Sequence, residues 1–327
     1  MLPVLSLYNG KPEDIALADL EMLAETRDTL FDNMLSLYGA LTGAKEHRVK
    51  EMVQMRDKLD KLSTDDLLAR LQQAGVSVTV ESFVDRAQHH VSSLDLSEEW
   101  DGEEWELGVF AAAADVLWER LCPERFRFEA FYRRMLDGYE PIESGVRYDE
   151  REVCEHWWQA WEMLREFCVA QGFRDPEAVA EKWRRHIIQH PLNWANEFLI
   201  ELHNAGVTNK HWAQRLFDFT QQFLDTFPDV DGETVRDFRR YQGESLFLLD
   251  RPAEGDAVFE ELAAEQPGDA WTYAVWGDQY VPSMYRRAHE NVAKAREIFE
   301  RGLRRVKLDR EALEERLVDL QRLAARD

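Results

Sequence analysis

Nearly every stretch of this chain repeats apolar residues at intervals of three and four, the period of a helix with one buried face. Ile15, Leu20, Leu23, Leu30, Met34 and Tyr38 mark a first helix, entered near Pro12 and broken at Gly43. Val49, Met52, Val53 and Leu59 mark a second, so the pattern predicts an antiparallel N-terminal hairpin. Ser63, with Asp66 three residues on, is placed to cap the next helix. From there the spacing predicts helices over 104–121, 126–138, 149–171, 176–189, 191–205, 210–226, 231–250, 252–266, 269–282, 286–303 and 309–326. Prolines 123, 141, 176, 191, 228, 252 and 267 are expected between them, where the missing N–H costs little. Strand-like alternation is confined to VSVTV, too short to build a sheet. The expected fold class is all-α. A boundary near residue 100 separates an N-terminal helical region (1–100) from a helical-repeat domain (101–327), and it rests on the acidic stretch DLSEEWDGEEWE.

Two segments share one design. LLARLQQAGVS and FLIELHNAGVT each predict a helix stopped by a glycine in the left-handed region, Gly75 or Gly206. Val76 or Val207 then folds back on Leu71 or Leu202, and Ser77 or Thr208 starts the next helix.

A longer motif lies near the C-terminus. Tyr273, Trp276, Gly277 and Tyr280 are spaced as in W-x2-L-G-x2-Y, with Ala295 and Phe299 spaced as in A-x3-F. Gly243, Leu246, Gly255, Phe259 and Pro267 form a weaker upstream copy. The two hairpin glycines, Gly243 and Gly277, stand one period of that pattern apart, about 34 residues. Phe259 and Phe299 are spaced more widely, which assigns about six extra residues to the stretch around VPSMYR. Over 190–327 the chain therefore resembles the tetratricopeptide family, which implies an α-solenoid of helical hairpins whose first helices line a groove. The resemblance places Arg240, Glu244, Trp271 and Asp278 on that groove and makes Trp276, Tyr280 and Phe299 core. A mixed cationic and aromatic groove suits an acidic, apolar peptide. LWERLCPERFRFEAFYRRMLDGYE and NWANEFLIELHNAG further resemble bacterial helical-repeat proteins associated with SEC-C zinc motifs. The ending LVDLQRLAARD lacks those cysteines, so no zinc role is carried over.

Composition narrows the function. A net charge of −24 repels phosphate backbones and anionic lipid, which argues against direct nucleic-acid or membrane binding. Cys122, Cys154 and Cys168 have no metal or disulfide spacing and read as reduced core residues of a cytoplasmic protein. No leader pattern opens the chain and no run of eighteen apolar residues occurs in it.

Candidate chemistry is thin. His186 and His190 stand one helical turn apart without a third ligand, Cys154 and His156 do not face each other, and no phosphate-binding or nucleophile motif appears. Trp157 and Trp161 share a face with Leu164 and Cys168 and are expected in the core. Trp158 points elsewhere, an expected exposed anchor, and Arg240 is placed to pair with Glu244. No metal, cofactor or catalytic residue is expected. The leading reading is a non-catalytic adaptor or regulatory subunit that binds a protein or peptide through Arg240, Glu244, Trp271, Asp278 and Trp158. The alternatives are an enzyme with an unlocated carboxylate or histidine site, and an acidic mimic of nucleic acid.

Overall fold

The computed structural model describes residues 55–100, 107–143, 148–183, 190–282, 287 and 289–324. Among them are fourteen helices, the end of a further one over 55–59, and no strand. Contacts divide the chain into two compact units, residues 1–127 and 128–327. Residues 1–54, with most of the expected N-terminal hairpin, and residues 101–106 of the acidic stretch lie outside the described residues.

The first unit holds α1 (Thr64–Gln73), α2 (Val80–Ala87), α3 (Ser93–Ser97) and α4 (Leu107–Leu121). Ser63 caps α1 by accepting from the Asp66 amide, and its hydroxyl donates to the Asp66 carboxylate. The helix ends as expected: Gly75 has φ +90°, and the Val76 amide returns to the Leu71 carbonyl. The next helix starts two residues later than Ser77, because Thr79 and Ser82 cap each other's backbone reciprocally. Helix α4 carries FAAAADVLW and is apolar on every side, so it must be covered on every side. Residues 110–118 are all buried, and α1, α2 and α3 pack on this helix. The residues from 107 to 121 thus belong with the N-terminal helices by contact, and the compact unit closes at 127 rather than near 100.

Asp115 is the one charge in that run and is wholly buried. It accepts from Arg56 Nε at 2.7 Å and faces Arg127 Nε at 3.0 Å. Arg127 also donates to the Asp115 carbonyl at 2.6 Å. Two cations on one buried carboxylate is the arrangement that low-dielectric burial requires.

The second unit comprises α5 (Phe128–Glu143), α6 (Glu150–Gln171), α7 (Pro176–Trp183), α8 (Pro191–Gly206), α9 (Lys210–Thr226) and α10 (Gly232–Leu248). It continues with α11 (Pro252–Glu265), α12 (Ala270–Asp278), α13 (Val292–Leu303) and α14 (Arg310–Ala324). Local chemistry sets most of these ends. Asn209, Asp231, Asp269 and Asn291 cap α9, α10, α12 and α13, and prolines open α7, α8 and α11. Pro141 departs from the expected pattern and sits within the last turn of α5. Gly206 also departs: it stays helical, with Val207 as the cap and Asn209, not Thr208, starting α9. The reason is packing, since a Cβ at Gly206 would stand 3.1 Å from the Ala213 backbone of α9.

Each helix from α8 onward packs on its successor, and α6, α8, α10, α12 and α14 also pack in sequence on one another. The starts of α8, α10, α12 and α14 fall at 191, 232, 270 and 310, and those of α9, α11 and α13 at 210, 252 and 292. The hairpins therefore recur at a longer step than the one from Gly243 to Gly277. Gly243 lies one turn deeper in its helix than Gly277 does, which shortens the glycine spacing. Both do the same work. A Cβ would stand 2.7 Å from the Phe259 ring at Gly243 and 2.1 Å from Phe299 at Gly277. Trp276, Tyr280 and Phe299 are buried, as expected of core residues. Residues 283–286 of the expected insertion, and Arg286 with them, lie outside the described residues.

Candidate functional site

The first helices α8, α10, α12 and α14 carry a row of polar and aromatic side chains away from the core. Trp271 opens the exposed face of α12, 46% accessible, with its backbone amide fixed by the Asp269 cap at 3.1 Å. Val275 and Asp278 follow it along that face, one and two turns on. Arg316 of α14 grips Asp278: its Nε lies 2.8 Å from both carboxylate oxygens, and its carbon centre stands 6.0 Å from the Trp271 ring. On α10, Arg240 is bonded to Asp237 and lies 3.9 Å from Asp269. Glu244 pairs with His203 of α8 at 3.2 Å.

Arg240, Trp271 and Asp278 thus stand in one chain of contacts through Asp237, Asp269 and Arg316, while Glu244 pairs separately with His203. The expected pairing of Arg240 with Glu244 does not form. Glu244 pairs with His203 of α8 instead, while Arg240 is bonded to Asp237 within α10 and also lies near Asp269 at the start of α12.

Trp158 is not an exposed anchor. It is 8% accessible, because Arg215 of α9 lays its guanidinium over the ring at 4.8 Å and over Trp212 at 4.9 Å. Trp157 and Trp161 are fully buried beside Leu164 and Cys168.

Burial pushes Asp278 above the ordinary carboxylate range, with the Arg316 hydrogen bonds opposing and the Glu244 charge adding to it. Asp237 is likewise raised by burial, against Arg240, with Glu233 and Asp269 adding. For His203 burial disfavours the cation, yet the hydrogen bond and charge of Glu244 prevail and raise its pKa.

All three cysteines are buried and free, and burial pushes the Cys168 thiol up to about 12, away from a reactive thiolate. His190 caps α8 and pairs with Glu177, while His186 lies outside the described residues. Asp256 accepts from Trp276 Nε1 at 2.7 Å, from the Tyr280 hydroxyl at 2.7 Å and from Lys294, a hub that ties α11, α12 and α13 together. Among the described residues no group of three histidine, cysteine or acidic side chains is placed to hold a metal, and no helix is long and apolar enough to cross a membrane. Comparison with family models, curated proteins and solved structures found no match.

Sequence reasoning found Trp271 because the packing motif beside it left that residue unexplained. It missed Arg316, Asp269 and His203, whose only sequence signal is a charge about one hairpin away from its partner.

Proposed function

We propose that this protein is a non-catalytic interaction module, an adaptor or regulatory subunit that docks a partner protein on the face formed by α8, α10, α12 and α14. In this reading the second unit is a tetratricopeptide-like α-solenoid with a lengthened repeat, of the kind found in the bacterial helical-repeat proteins its sequence resembles. It works in the cytoplasm. The observation that carries the proposal is the exposure of Trp271 amid side chains that are otherwise fixed by pairing. A large aromatic left open on a rigid, pre-organised face is the kind of residue that dominates interface energies. The first-helix packing of α8, α10, α12 and α14 supports a continuous groove behind it.

The experiment is a peptide-display selection on the full chain, repeated with Trp271→Ala. A lost aromatic anchor of about 2 kcal/mol corresponds to roughly 30-fold weaker binding. With about half of the Trp271 surface already covered, the variant loses about 1 kcal/mol and roughly 2–4 °C in melting temperature, well short of the loss of a core tryptophan. Selected peptides that bind both proteins equally would remove Trp271 from the site and the proposal with it.

A further inference from the structure

We infer that the segment received at Trp271 is cationic, carrying lysine or arginine beside aliphatic side chains. This inference rests on the docking reading above and gives the partner's chemistry. The sequence pattern, counting Arg240 beside Trp271, points instead to an acidic ligand; the pairing reverses the sign. Arg240 is already bonded to Asp237 and faces Asp269, and Arg316 is chelated by Asp278 and donates to the Ala312 carbonyl at 2.9 Å. Arg316 offers no free fork to an incoming carboxylate, and Arg240, with one amino group held by Asp237, is only 13% exposed. Around these groups five carboxylates, Glu233, Asp237, Glu244, Asp269 and Asp278, stand against three arginines, Arg236, Arg240 and Arg316, on a chain of net charge −24. Asp237 and Asp278 are held above the ordinary carboxylate range even with arginine partners. An added cation would relieve the repulsion that Glu233, Glu244 and Asp269 contribute to that shift.

The apolar part of the segment has its own contacts. Trp271 offers an indole face, and half-buried Val275 follows one turn on. An indole face attracts ammonium and guanidinium groups as well as methylenes. A basic amphipathic segment matches both halves of the surface, and electrostatic steering by the surrounding acid speeds its encounter.

The test is fluorescence anisotropy with two labelled peptides in about 0.15 M salt, where long-range attraction is screened. Both carry leucine at helical spacing; one has lysine at the remaining positions and its twin has glutamate. The protein is the full chain as wild type, Trp271→Ala, Trp271→Arg, Asp237→Asn/Asp278→Asn, and Glu162→Gln/Glu166→Gln. The last removes the same charge from exposed sites on α6. The expected result is lysine-peptide binding at least tenfold tighter than that of its twin. Both Trp271 variants and the Asp237/Asp278 variant weaken it at least tenfold, and the α6 control changes it less than twofold. Trp271-dependent preference for the glutamate twin overturns the inference while leaving the docking reading intact. Equal loss in both double variants with no effect at Trp271 means diffuse attraction to an acidic protein, and also overturns it. If neither peptide binds in a Trp271-dependent way, the inference fails together with the docking face. Should the Asp237/Asp278 variant melt early, Trp271→Arg decides, since it adds a repelling charge at an exposed position.

Discussion

The close approach of α12 to α13 makes Gly277→Ala a direct probe of the packing. A methyl at this site would lie 2.1 Å from Phe299 Cε1 and 2.6 Å from Cδ1, against about 3.5–4.0 Å for carbon atoms at rest. The Phe299 ring must therefore retreat by more than an ångström. It is fully buried in a cluster with Trp276, Ile298 and Leu313, so it has no free volume to enter. Overpacking of this kind costs about 1–3 kcal/mol, and more when the ring cannot move. Opposing it is the helix propensity of alanine over glycine, worth about 1 kcal/mol. The collision wins, and a net loss of about 1–2 kcal/mol corresponds to roughly 2–8 °C in melting temperature for a unit of this size. Gly268→Ala is the control, because a Cβ there meets nothing within 4 Å and its φ lies outside the left-handed region. Alanine at Gly268 is neutral or stabilises by up to about 1 kcal/mol. Phe299→Ala alone costs about 3–5 kcal/mol. In that background Gly277→Ala turns neutral or favourable, since the clash is gone while the propensity gain stays. Thermal and urea melts of the four proteins in the cycle give the coupling. A Gly277→Ala variant as stable as wild type would refute the close approach, and with it the role given to the glycine.

Asp115→Asn removes the buried carboxylate shared by Arg56 and Arg127 and leaves them only the exposed Glu119, so urea unfolding followed on the first unit shifts by up to about 3 kcal/mol. Arg215→Lys keeps the charge but loses the planar stack on Trp158 and Trp212, a loss of about 1 kcal/mol that lowers the melting temperature by roughly 2–4 °C. His203 has a folded pKa raised above its unfolded value by Glu244, so its stabilisation is complete below about pH 6.5 and fades as pH rises through the folded value. The stability gap between wild type and His203→Gln, measured by urea melts from pH 5.5 to 8.5, therefore narrows with rising pH; a gap that widens contradicts the pairing. Glu201 accepts from Tyr148 at 2.8 Å through one oxygen, leaves the other buried and unbonded, and is raised chiefly by burial. A raised carboxyl loses stabilisation as pH climbs through its folded value, so Glu201→Gln gains on wild type between pH 4 and 8 in the same assay.

Helix positions were legible in the sequence because their determinants are local. Asn209, Asp231 and Pro252 fix where α9, α10 and α11 begin, and the expected starts at 210, 231 and 252 agree to within a residue. The stop at Gly75 was equally local, whereas the stop at Gly206 depended on Ala213 approaching from the next helix. Trp158 was misread for the same reason. One helix shows which side chains share a face, and α6 is covered by α5, α8 and α9, so Trp158, off the Trp157 and Trp161 face, is also buried. The placement of the domain boundary near 100 followed acidic composition, and α4, apolar all round, overrode it.

Five of the polar pairs share a spacing that only the folded hairpins reveal. His203 pairs with Glu244, Lys210 with Asp250, Asp256 with Lys294, Glu260 with Arg301, and Asp278 with Arg316, each pair separated along the chain by about one hairpin. That is the step at which first helices succeed first helices and second helices succeed second. Four of these pairs join alternate helices along the chain, and Lys210 of α9 reaches Asp250 in the turn before α11. Exposed pairs of this kind add little to stability one at a time. Their effect on the Trp271 face is directional. They fix Arg316 on Asp278 and Glu244 on His203, and they leave acid in excess where a partner would land.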